Sequence, residues 1–165
     1  MKKISVIVCA VMMSLCLVNV VGATTKKQDA AIVDHCDTIR ESLKKVQKDD
    51  ARIRVFLGGR YEMILTKFIV PLNMRLVENS LSNADLVENQ NEFAEAKTVF
   101  MNDYIGYQQE LESLVGMDCK SEPGKFYEQL TKVRQKRKTI RQDTMRIRSL
   151  ISTHIKLVSQ LNGKV

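Results

Sequence analysis

Apolar residues recur every three or four positions through three long runs of this chain. The first run is Ile32, Cys36, Ile39, Leu43, Val46, Ile53 and Leu57, with Asp50 at the one missed position. This is the seam of an amphipathic, coiled-coil-like helix. Gly58-Gly59 weakens it, yet the phase continues through Tyr61, Ile64 and Phe68, so one helix with a soft spot is predicted. Pro71 is expected to stop or kink that helix, because its ring clashes with the preceding turn and it has no amide hydrogen. A short helical piece over 72–81 then leads into a polar run. The second seam is Leu86, Gln90, Phe93, Lys97, Phe100, Tyr104, Tyr107, Leu111 and Leu114, with Ser82 or Asn83 as its cap and Gly116 as its end. The third is Phe126, Leu130, Val133, Arg137, Ile140, Thr144, Ile147, Ile151, His154, Val158 and Leu161. Ser121-Glu122-Pro123 opens that helix and Asn162-Gly163 closes it.

No stretch alternates with period two for long enough to make a strand, so the predicted fold is all-α. The second and third seams match when the chain folds back at 115–127, which sets Leu114 against Phe126, Phe100 against Ile140 and Phe93 against Ile147. The same register puts Lys97 opposite Thr144, and Tyr104 opposite Arg137, where a cation–π contact is expected. The expected architecture is an elongated antiparallel bundle of about three long helices.

Charge reinforces the hairpin. Residues 76–119 hold nine acidic side chains and one basic, whereas 120–165 hold twelve basic and three acidic. Asp85, Glu92, Asp103 and Glu110 flank one seam, and Lys132, Lys138, Arg148 and Lys156 flank the other at matching heights. Exposed pairs of this kind set orientation more than stability.

The N-terminus adds a compartment. A basic start at Lys2-Lys3, no charge over 4–22, and small residues at Gly22-Ala23 are the parts of a secretory signal peptide. Residues 1–23 are read as that signal, and 24–165 as a single helical domain; the rival reading is an uncleaved anchor. Cys9 and Cys16 leave with the signal. Cys36 and Cys119 remain, and in an exported protein two cysteines most simply form one disulfide, the alternative being two free thiols. That bond would lay the first helix antiparallel to the second.

Candidate chemistry is sparse. Lys132, Arg134, Lys136, Lys138, Arg141 and Arg148, in a run that also holds Arg137 and Arg146, form a basic stripe suited to phosphate-bearing or other anionic polymers, or to lipid head groups. The same residues flank a seam and answer the acidic helix, and spacing favours that blander account. No aromatic residue follows Tyr127, so stacking on bases is not expected. His35 and His154 are the only histidines, too few for a metal site, and no nucleophile motif or phosphate loop is present. No enzyme, cofactor or small-molecule substrate is expected.

The stretches FIVPLNMRLVENSLSNADLVENQNEFAEAK and DYIGYQQELESLVGMDCKSEPGKFYEQLTKVRQKR resemble uncharacterised secreted helical proteins of reduced-genome, candidate-phylum bacteria. The resemblance spans roughly 36–141 and implies an exported helical protein with a paired cysteine and no assigned activity. It carries over no functional residue. The expected function is therefore non-catalytic binding outside the cytoplasm, through a protein partner or self-association along helix faces, with an anionic polymer as the alternative ligand.

Overall fold

The computed structural model describes residues 20–81 and 84–162. It is all-α: α1 (Val20–Asp34), α2 (Cys36–Met63), a π-helical segment (Ile64–Ile69), α3 (Val70–Glu78), α4 (Ala84–Gly116) and α5 (Pro123–Asn162). Three of these helices are long and pack antiparallel. Residues 1–19 of the expected signal, the expected caps Ser82 and Asn83, and Gly163 lie outside the described residues.

α1 and α2 are almost one helix. The His35 amide donates to Ala31 O (3.2 Å) and the His35 carbonyl accepts from Ile39 N–H (2.9 Å). α2 runs unbroken through Gly58-Gly59. A Cβ at Gly58 would stand 2.9 Å from Met101 Sδ, so the missing side chain is what lets α2 approach α4 at this level.

Two expectations fail beyond Tyr61. Ile64 is half-buried and still packs against the core, but Phe68 is 61% exposed. Pro71 breaks nothing; it sits in the first turn of α3. The π-helical segment explains both. Val70 N–H donates to Leu65 O, five residues back, and the wider turn moves the inward positions to Tyr61, Leu65, Ile69 and Asn73. The same widening lets the chain pass a proline that an ordinary helix interior would not take. α3 ends with Ser80 in the left-handed region (φ 57°), its amide bonded to Val77 O and that of Leu81 to Leu76 O (3.0 and 2.8 Å).

The hairpin follows the predicted seams. Leu86, Phe93, Phe100, Tyr104, Tyr107, Leu111 and Leu114 of α4 are buried, as are Phe126, Val133, Ile140, Ile147 and His154 of α5. Register is held by Gln129, whose amide donates to the Glu110 carbonyl (3.2 Å) and carboxylate (2.7 Å), and by the Asn89 amide on Leu150 O (3.3 Å). At the turn, Asp118 Oδ1 accepts from Lys120 N–H (2.9 Å). The Ser121 hydroxyl donates to Asp118 O (3.4 Å) and does not cap α5; the helix begins with the Glu122 carbonyl accepting from Phe126 N–H (3.0 Å).

The expected disulfide is present. Cys36 and Cys119, both buried, are joined with their Cα atoms 5.7 Å apart. Above it, edge-to-face contacts run from Tyr61 to Phe100 (5.2 Å), Phe100 to Tyr104 (5.5 Å) and Tyr104 to Tyr107 (5.9 Å), binding α2 to α4.

Candidate anion-binding groove

α2 and α5 both pack on α4, and between them a groove of about 830 Å³ opens over Tyr104 and Tyr107. Leu57 and Ile140 contribute its apolar floor, with Ile53 and Met145 on the rim. Arg134, Arg137, Lys138, Arg141 and Arg148 of α5 line it, against the single carboxylate of Asp50. Arg134, Lys138 and Arg141 follow at steps of four and three, with Arg137 beside Lys138 and Arg148 two turns beyond Arg141, so α5 can present all five on one side.

Asp50, the apparent gap in the first seam, is the hub of the groove. It is 4% exposed. Its carboxylate accepts a short hydrogen bond from the Tyr107 hydroxyl and faces Arg137 Nη2 at 3.3 Å, while its backbone carbonyl accepts from the Tyr104 hydroxyl at 2.8 Å. Burial, reinforced by the Asp50 charge, pushes the Tyr104 phenol up to about 12 and raises that of Tyr107 as well. Both tyrosines therefore stay protonated and donate. The expected cation–π contact of Arg137 with Tyr104 is replaced by this ion pair, because a buried carboxylate offers the guanidinium a stronger partner.

Of the six residues of the predicted basic stripe, Arg134, Lys138, Arg141 and Arg148 meet in the groove. Lys132 is exposed elsewhere, and Lys136 lies half-buried beside Gly106 of α4. Arg137, expected on the seam and within the basic run, joins the four groove residues through Asp50, since an acid on an apolar face needs a cation.

The expected ion pairs between α4 and α5 do not form. Among the described residues, the ion pairs are Lys44–Glu41, Lys97–Glu62, Lys120–Asp37, Lys125–Glu122 and Arg137–Asp50. Lys97 turns to Glu62 of α2 instead of facing Thr144, whose hydroxyl donates to Ile140 O (2.9 Å). Glu110 is engaged by Gln129. Asp103 meets Asp143, whose carboxyl is raised by burial and then by the Asp103 charge. Arg134, Lys138, Arg141 and Arg148 thus have no ion-pair partner among the described residues.

Farther along the hairpin, His154 is buried (6% exposed) with Nδ1 3.1 Å from Asn89 Oδ1. Asn89 spends its amide hydrogens on Leu150 O, so its oxygen accepts and Nδ1 carries the imidazole proton. Nε2 is buried without a hydrogen-bond partner among the described residues. Burial accordingly lowers the pKa below the ordinary 6.5. The folded state binds fewer protons here than the unfolded state, so stability is full above about pH 6.5 and falls as pH drops through that value. Urea titrations at about pH 7 and about pH 5 should give a lower midpoint in acid, with the difference shrinking in His154→Asn. Asp143, raised, pulls the opposite way nearer its ordinary 3.8.

Among the described residues, no three His, Cys, Asp or Glu side chains gather as metal ligands, and no helix is long and apolar enough to cross a membrane. The chain matches no protein-family model, no curated protein and no solved structure.

Proposed function

We propose that this is an exported, non-catalytic binding protein whose groove between α2 and α5 holds an anionic polymer such as a nucleic acid or an acidic cell-wall polymer. The observation that carries this reading is the convergence of Arg134, Lys138, Arg141 and Arg148 in one groove with no ion-pair partner among the described residues. Cations gathered this way release counterions when they meet a polyanion. Tyr104 and Tyr107 line the groove but are buried with their hydroxyls on Asp50, which leaves bases no exposed ring there and favours backbone contact over base reading. The buried Cys36–Cys119 bond fits an oxidising compartment outside the cytoplasm.

The oxidised protein should be retained on heparin and on DNA near physiological salt. The triple variant Arg134→Glu, Lys138→Glu, Arg141→Glu should elute early, with the slope of log affinity against log salt reduced by about 3. All three positions are exposed, so circular dichroism should be unchanged. Equal elution of variant and wild type would refute the reading.

A further inference from the structure

The outward face of α2, the π-helical segment and α3 carries a second, separate surface. Val55, Phe56, Met63, Phe68, Met74 and Val77 are each between 50 and 70% exposed. Isolated exposed apolar residues are ordinary, but six large ones along a single helical run of about 30 Å are not. Residues 51–77 also contain five basic side chains and a single acid, Glu62, which is engaged by Lys97. Arg52, Arg60, Lys67 and Arg75 are exposed and have no ion-pair partner among the described residues. The π-helical turn helps create this face, because it rotates Phe68 outward while Leu65 and Ile69 take the core positions.

We propose that this ridge seats the protein on an anionic lipid surface, with Phe56, Met63 and Phe68 entering the head-group boundary and Arg60, Lys67 and Arg75 meeting phosphates. A second copy docked face to face would bring these cations against their own counterparts, so self-pairing is opposed by charge. A linear polyanion would satisfy the cations and leave six apolar side chains in water. A bilayer surface satisfies both, and amphipathic helices with Lys and Arg beside bulky apolar residues bind there without spanning. This inference stands on the ridge alone and is independent of the groove.

The test is sedimentation of the oxidised protein as exported, residues 24–165, with vesicles of phosphatidylcholine, alone or mixed with phosphatidylglycerol. Wild type should bind the mixed vesicles and not the neutral ones. Arg60→Glu, Lys67→Glu, Arg75→Glu should weaken binding by at least roughly a hundredfold. Phe56→Ser, Met63→Ser, Phe68→Ser should release the protein while leaving heparin retention intact. The groove triple variant should still bind vesicles. No preference of the wild type for anionic vesicles overturns the proposal, as does wild-type binding by the apolar ridge variant. Vesicle binding lost only in the groove variant would move lipid contact to α5 and equally overturn it. So would a concentration-dependent dimer, seen by sedimentation velocity, that the ridge variant abolishes while vesicles are ignored.

Discussion

Replacing Cys36 and Cys119 together by serine should lower the unfolding free energy by about 4–5 kcal/mol. The bond closes a loop across a sequence separation of 83, and in the chain-entropy account its main effect is on the unfolded state, which loses freedom when the ends are tied. Two folded-state contacts persist without it: the Tyr61–Phe100 pair and the Asp50 hub both hold α2 to α4. The double variant should therefore keep most of its helicity at low urea and unfold at a markedly lower midpoint. The wild type in reductant should do the same. A loss below about 1 kcal/mol would mean that the unfolded chain is already confined by residual structure.

Phe100→Ala should cost about 3–5 kcal/mol in the same urea titration. Phe100 is 0% exposed and meets both Tyr61 of α2 and Tyr104 of its own helix edge-on. Truncation leaves a cavity at the one level where α2, α4 and the aromatic ladder coincide, and neither tyrosine can collapse into it without giving up its place; Tyr104 would also release Asp50 O. A change under about 1 kcal/mol would place Phe100 outside the core.

The hairpin was legible because α4 buries side chains at unbroken three-and-four spacing and α5 buries one at every seventh residue from Phe126 to His154, a period that survives the polar substitutions between them. Asn89 shows the limit: it, and not Gln90, is the buried amide, because the partners that need it, Leu150 O and His154, lie beyond any local pattern. The phase error at Phe68 has a similar origin. A period fixed at three and four assumes α-geometry, and nothing local in Ile64–Ile69 marks the turn that widens. Asp50 was visible as an anomaly and not as a hub, since its meaning depends on Tyr104, Tyr107 and Arg137 arriving from helices distant in sequence. The basic stripe was identified by composition, but spacing alone could not separate Lys132 and Lys136 from the four residues that share the groove. The opposed charges of α4 and α5 were read correctly as composition and wrongly as contact pairs, because geometry lets Glu110 and Asp103 find other neighbours.

The missing ion pairs have a consequence for motion in solution. Five cations line the groove against the one carboxylate of Asp50, so positive charge is concentrated there and not cancelled. The groove is consequently a local source of positive potential set to one side of the molecule. In the field of any strongly charged body the molecule experiences a torque as well as a pull. An anionic object would be met groove first, its approach already oriented before the surfaces touch. At physiological ionic strength that alignment acts only within about 8 Å, so it would select among collisions and do little to recruit from a distance.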